Sequence, residues 1–195
     1  NRYSSLQWLL IGMVMGLSFV TRFQAGLMIA GLVIWLAIVR RQLREAILLS
    51  AGVLLMAALG VAIDSWYYGR LTFTAWNYLN QNLVHDKVSQ FGIQPWWFYF
   101  TETVLMGITP LTLLFLVAPL VVFVFRRTDA LTFTLLPFIV VHFLIGHKEV
   151  RFLLPLVGFM PVVVAEAILV VKERFSTDLT TRLWFGRLVG FSLLV

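Results

Sequence analysis

The segment LIGHKEVRFLLPL, residues 144–156, sets His147, Lys148, Glu149 and Arg151 in a row between two apolar runs. On a helix, His147 and Arg151 lie four apart and Lys148 and Arg151 three apart. That spacing groups the cationic heads on one side and leaves Glu149 to orient or neutralise them. Such a cluster suits a phosphate: at 4 Å and an effective dielectric near 20, one cation is worth about 4 kcal/mol to a unit negative charge before desolvation. The planar fork of Arg151 can bond two phosphate oxygens at once. The plainer reading is a charged connector between two helices.

Other groups invite the same question. Asp64 opens DSWYYGRLTFTAWNYLNQNL, where it serves either as a helix-end or turn residue or as a polar contact to sugar hydroxyls or to a neighbouring cation such as Arg22. Trp66, Tyr67, Tyr68, Trp76, Tyr78, Trp96, Trp97 and Tyr99 read first as an interfacial belt. Tyr68 and Trp97 are candidates for sugar contact besides. His142 stands five residues before His147 and shares no helical face with it; with no third ligand in view, no metal site is assigned and His142 reads as a core residue. His85, Asp86 and Lys87 read as a solvated turn. Glu166, inside an apolar run, is the costliest carboxylate and should face protein or be protonated. Pro155 and Pro161 can kink the same run.

The elements that must position these groups follow from composition. Hydrophobic residues make up 61% of the chain and charged residues 12%, which places it outside the range of soluble domains. The apolar runs are continuous rather than alternating, so they predict an all-α, multispanning membrane protein and not a barrel. Six spans are expected: Leu6 to Val20, Phe23 to Val39, Ala46 to Ile63, Thr103 to Phe125, Ala130 to Ile145 and Phe152 to Val171. A seventh begins near Leu183 and is cut off at residue 195. The opening segment lacks a small-residue cleavage site and reads as a span, not a signal peptide. The chain starts without Met and stops within an apolar run, so a longer protein is expected.

Charge orients the spans. Of the 15 Lys and Arg, ten (Arg2, Arg40, Arg41, Arg44, Arg126, Arg127, Lys172, Arg174, Arg182, Arg187) fall on one side. Five (Arg22, Arg70, Lys87, Lys148, Arg151) fall on the other. The richer side is cytoplasmic, so Arg22, Asp64, the 64–102 loop and the opening motif share the extracytoplasmic face. The second and fifth spans reach only about 25 Å and about 24 Å against a hydrocarbon core of about 30 Å. With their cytoplasmic ends pinned by arginines, the shortfall recesses Arg22 and residues 147–151 below the outer interface. The net charge of +6 is spread over helix ends and forms no stripe, which argues against nucleic acid. The absence of cysteine removes disulfides and thiolate metal sites.

HKEVRFLLP resembles the HKExRFxxP signature of glycosyltransferase family 22, the multispanning mannosyltransferases of N-glycan and glycosylphosphatidylinositol assembly. DSWYYGRLTFTAWNYLNQN is similar to the family's D-S-x-Y-G segment and its following N-F-x-x-x-N stretch, and FGIQPWWFYF to its Y-G-x-x-P-W-x-W-Y-x segment. VTRFQAG stands where the family has R-P-T, with Phe23 in place of the proline, and Val150 replaces a commonly acidic or polar position. The resemblance implies a GT-C fold. It also implies inverting transfer of mannose, or a related hexose, from a polyprenyl- or dolichyl-phosphate carrier to a lipid-linked glycan on the extracytoplasmic or lumenal face, with no cofactor. The membrane would be the plasma membrane of a bacterium or archaeon, or the endoplasmic reticulum of a eukaryote. The general base of such enzymes is an acid in the first extracytoplasmic loop, expected here upstream of Asn1.

On this reading Arg151, Lys148, His147 and Arg22 hold the donor phosphate, while Glu149, Asp64, Tyr68 and Trp97 organise the site or touch sugar. A transporter or flippase for a lipid-linked phosphate or sugar would also gather cations at one face, but should show internal repeats, and none is visible. A purely structural subunit has no need of four cations and two acids in short connectors.

Overall fold

Ser4 opens the first helix, α1 (Ser5–Thr21), with a reciprocal cap. The Gln7 N–H donates to Ser4 Oγ at 3.3 Å and the Ser4 N–H to Gln7 Oε1 at 2.7 Å. The computed structural model describes residues 3–108 and 111–175. The span expected from Leu183, with Arg2, Arg182 and Arg187, lies outside them. The described residues are helical and contain no strand.

Helix α2 (Ala25–Ile34) widens into a π-helical turn, Trp35–Val39, closed by the Arg40 N–H on the Trp35 carbonyl at 3.0 Å. Arg41, at φ +54°, reverses the chain into α3 (Leu43–Tyr68), which ends on Gly69 in the left-handed region at φ +64°. The stretch after it carries helical structure of its own: α4 (Thr74–Leu79), a second π turn (Asn80–Val84), a 3₁₀ turn (Lys87–Phe91) and α5 (Phe98–Met106). Helices α6 (Leu111–Phe125) and α7 (Ala130–Leu144) follow, the latter capped by Asp129, whose Oδ1 accepts from the Leu131 N–H at 2.9 Å. After a 3₁₀ turn (Val150–Leu153) come α8 (Leu154–Val157) and α9 (Met160–Phe175).

The described residues divide into two compact units, one within residues 3–94 and 128–147, the other within residues 95–127 and 148–175. In the first, α1 lies along α3 and α2 along α7. The α1–α3 contact is made backbone to backbone. A Cβ on Gly12 would overlap the Leu49 carbonyl, and one on Gly52 would come within 2.8 Å of the Gly12 carbonyl carbon. A Cβ on Gly16 would stand 2.8 Å from Met56 Cβ and 2.9 Å from Val53 Cα. Gly12 and Gly16, four apart, form the small-residue stripe by which apolar helices approach closely. Ile29, Leu36, Ala46 and Leu49 form a buried core, with Trp8, Ile11 and Met15 packed on it. The Trp35 indole N–H donates to the Thr128 carbonyl at 2.7 Å.

In the second unit α6 packs on α9, burying Ala118 and Val122 with Val163, Ala167 and Val170. The segments Val150–Val157 and Met160–Arg174 are bent by 65° at a short break. Pro155 and Pro161 flank it, each at the start of its helix, where a missing N–H leaves no hydrogen bond unmade. Just past α6, Arg126 forks onto α9: Nε donates to Glu166 Oε1 and Nη2 to Glu173 Oε2, both at 2.7 Å. The costly carboxylate therefore faces a guanidinium. Glu166 first, then Glu173, hold Arg126 further in its charged form. Arg174 lies over the Phe125 ring at 5.2 Å.

Leu6, Leu10, Val14 and Leu17 on α1, Ile47, Leu54, Leu55, Leu59 and Ile63 on α3, and Leu113, Val117, Leu120 and Val124 on α6 are exposed. Each of these helices is apolar on the side it turns away from its partner as well. Among the described residues α3, with 26 residues, is the one helix long and apolar enough to cross a membrane unaided. The bent pair passes the same test jointly, and α1, α2 with its π turn, α6 and α7 are shorter apolar helices.

Candidate functional site

The opening motif is not helical where its charges begin. Residues 145–149 run through a bend into extended backbone, Glu149 having φ −137° and ψ 142°, and the 3₁₀ turn starts only at Val150. The expected grouping of His147, Lys148 and Arg151 on one helical side therefore does not form. The boundary between the two units falls between His147 and Lys148.

In the second unit, Arg151 projects outward with its side chain 69% exposed and lies side-on to Glu149. Nη2 donates to Glu149 Oε1 at 3.0 Å and Nε pairs with Oε2. This bidentate contact fixes the guanidinium plane. It engages Nε–H and one Nη2–H of the five donors, so the far edge of the fork points away from the carboxylate. The Phe152 ring lies 6.0 Å from Arg151 Cζ.

Lys148 differs: it is 5% exposed, and burial pulls its ammonium below the usual lysine range. Beneath Glu149 stands Tyr99, 2% exposed. Its phenol is pushed up to about 12, chiefly by burial, while the Glu149 backbone bond pulls the other way and the Glu149 charge adds to the rise. Tyr99 thus leaves the interfacial belt to which its neighbours are assigned and becomes the support of the Glu149–Arg151 pair. Trp97 caps α5, half-exposed, edge-on to Trp96 at 5.7 Å.

In the first unit, Asp64 sits within α3, five residues before Gly69, and its Oδ2 accepts from Thr74 Oγ1 at 2.5 Å. The adjacent Ser65 Oγ accepts from the Thr72 N–H at 3.0 Å. The two side chains together lash the 70–74 turn to the helix end. Arg22 caps α1, its N–H on the Ser18 carbonyl at 2.9 Å and its side chain exposed. The next residue, Phe23, packs against Tyr78 at 5.6 Å. Tyr68 is exposed, edge-on to Tyr67 at 5.0 Å. His147, by contrast, is buried, with Nδ1 on the Gly92 carbonyl at 2.9 Å. His142 is a core residue, stacked 4.0 Å from Phe138 and bonded through Nδ1 to the Phe138 carbonyl at 2.7 Å.

The structure thus joins Glu149 to Arg151 over Tyr99, and Asp64 to the 70–74 turn. Both acids hold geometry: Glu149 is occupied by a guanidinium and Asp64 by a hydroxyl. Sequence reasoning placed Tyr99 in the aromatic belt and did not single out Thr74, Ser65 or Gly92, although all three lie inside signature segments. What the arrangement offers chemically is one oriented, solvent-facing cation with a fixed plane, suited to oxygens of a phosphate.

The chain is 36% identical over 104 residues to the GPI alpha-1,2-mannosyltransferase 3 of Danio rerio, covering 52% of this chain and 19% of that protein. It is 31% identical over 144 residues to the GPI mannosyltransferase 3 of Drosophila melanogaster, covering 70% and 24%. With the probable Dol-P-Man:Man(7)GlcNAc(2)-PP-Dol alpha-1,6-mannosyltransferase of Schizosaccharomyces pombe the identity is 30% over 157 residues, covering 79% and 27%. The chain therefore spans between 19% and 27% of the length of these curated relatives. No solved structure matches it. The model of one family, the Alg9-like mannosyltransferases, matches residues 2–195. From end to end, then, the chain belongs to the Alg9-like mannosyltransferase family.

Proposed function

We propose that the protein transfers mannose from a dolichyl- or polyprenyl-phosphate carrier to a lipid-linked glycan, and that Arg151 binds the phosphate that departs. The observation that carries this reading is the exposed Arg151 fork, planed by Glu149 within a family signature. The relatives' names supply the sugar, and that of the Schizosaccharomyces pombe relative the dolichyl-phosphate donor. Breaking the sugar–phosphate bond builds negative charge on the leaving phosphate, and a cation already oriented for it stabilises the transition state without reorganising. Lys148 adds to the positive field. Arg22, Asp64, Tyr68 and Trp97 are the further candidates for contacts to phosphate or sugar.

The enzyme is a multi-pass membrane protein in this proposal, of the GT-C type, seated in the endoplasmic reticulum or, in a prokaryote, the plasma membrane. The outward apolar faces of α1, α3 and α6 support lipid exposure, and the ten-to-five charge split supports an extracytoplasmic or lumenal active face. Single cysteines at the exposed Gln90 and Val150 should both react with an impermeant reagent added from that face; labelling only after permeabilisation would reverse the orientation.

The test of function is transfer from polyprenyl-phosphate-mannose by the full protein in membranes, at matched expression. Arg151→Ala should lower turnover at least tenfold, and by more than it weakens donor binding; Arg151→Lys should recover only part. The exposed Lys87 serves as control. Near-normal turnover and affinity in a well-expressed Arg151→Ala protein would rule the clamp out.

A further inference from the structure

His147 stands in the signature beside the clamp, yet its surroundings differ from those of Arg151. It is buried, 8% exposed, and Nδ1 meets the carbonyl of Gly92, 55 residues earlier in the chain, at 2.9 Å. A carbonyl oxygen only accepts, so Nδ1 carries the proton and donates. The contact does not stand alone. The Gln94 N–H donates to the Gly146 carbonyl at 2.9 Å, and a Cβ on Gly146 would sit 3.6 Å from Ile93 Cγ2. The Phe91 ring lies 6.1 Å from the His147 imidazole. Gly92 adopts φ +100°, a conformation L side chains rarely take. Gly92 and Ile93 are themselves exposed and enclose nothing. Residues 91–94 meet this edge through the backbone bond from Gln94 and the side-chain bond from the His147 imidazole.

We propose that His147 is a positioning residue: it donates through Nδ1 to Gly92 and so moors the FGIQ half of one signature segment to the other signature segment, and it does not itself contact the donor phosphate. Its part in turnover rests on the mannosyl-transfer reading above; the mooring does not.

Asparagine and glutamine separate the two roles. The Asn amide nitrogen takes about the place of Nδ1–H, whereas the Gln amide nitrogen takes about the place of Nε2–H. His147→Ala, His147→Asn and His147→Gln are compared in the full protein, with hydrogen exchange of residues 87–94 followed by mass spectrometry and mannosyl transfer measured in parallel. Exchange in this segment should quicken about threefold to tenfold in the Ala and Gln variants, the range set by one hydrogen bond, and stay near wild type in the Asn variant. Turnover should follow the same order, Asn well above Gln and Ala. A second route replaces the mooring covalently: Ile93→Cys with Gly146→Cys, oxidised in the His147→Ala background, should restore slow exchange and turnover together, and reduction should abolish both.

Unchanged exchange in His147→Ala, or an Asn variant no better than Gln, overturns the mooring. Slowed exchange without recovered turnover in the oxidised double-cysteine protein overturns the positioning role. If the wild-type protein transfers no mannose, it is the functional reading that fails, and the exchange order alone decides the mooring. If His147→Ala does not fold, a folded Asn variant beside an unfolded Gln variant upholds the mooring, and the reverse overturns it.

Discussion

Replacing Gly16 by alanine tests the backbone contact between α1 and α3. The added Cβ would stand 2.8 Å from Met56 Cβ and 2.9 Å from Val53 Cα, against an ordinary contact of at least 3.4 Å. The helices must therefore part locally by about 0.5–0.6 Å, and two of the three nearest atoms are backbone of α3, which cannot rotate aside. Overpacking of this kind costs about 1–3 kcal/mol. Alanine's better helix propensity returns about 0.5–1 kcal/mol, so a net loss of about 1–2 kcal/mol remains. For a domain of this size that corresponds to about 2–8 °C in the unfolding midpoint.

Gly158→Ala is the matched control. Nothing lies within 4 Å of its Cβ position and its backbone is right-handed, with φ −62°, so the same change there should raise the midpoint slightly or leave it alone. The assay is thermal unfolding of detergent-solubilised protein at one fixed scan rate, because unfolding of such proteins is irreversible. A Gly16→Ala midpoint equal to or above that of Gly158→Ala would refute the close approach.

Tyr99 should make the protein sensitive to alkali. Its phenol is raised from 10.0 to about 12, so the stability it confers as a neutral group is intact below about pH 10 and lost as pH rises through about 12. Tyr99→Phe should therefore lose less stability than wild type over that window, read as the change in unfolding midpoint with pH; parallel curves would show that burial of the phenol is not felt. The Arg126–Glu166–Glu173 cluster should show strong coupling. Arg126→Met alone should destabilise more than Arg126→Met with Glu166→Met, because the single change strands a carboxylate on an apolar helix; additive losses in a double-mutant cycle would remove the coupling.

How much of this was legible before the structure depends on whether the determining contact is local. The all-helical class could be read from run length and composition alone, and the family from four segments kept in order. Glu166 was recognisable as needing a partner, but Arg126 lies 40 residues away, and no periodicity connects them. The grouping expected for residues 147–151 assumed a helix, and the backbone there is extended at Glu149, so the helical spacing on which the grouping rested is not formed. Tyr99 was read by composition, as one aromatic among many near an interface, whereas packing buries it under Glu149. The Gly12–Gly16 spacing was present in the sequence and is meaningful only once α3 brings Leu49, Gly52 and Val53 against it.

The ion pair on α9 also bears on how the protein is made. Arg126 is synthesised before Glu166, so when α9 emerges from the ribosome its cationic partner is already in place at the end of α6. A helix with a carboxylate midway along an apolar run is a poor candidate for release into lipid, and in the proposed membrane setting the neutralised Arg126–Glu166 pair is the more readily released species. In that setting, partition of α9 into the bilayer would depend on α6 having arrived first, which would give the salt bridge a part in biogenesis as well as in the finished molecule.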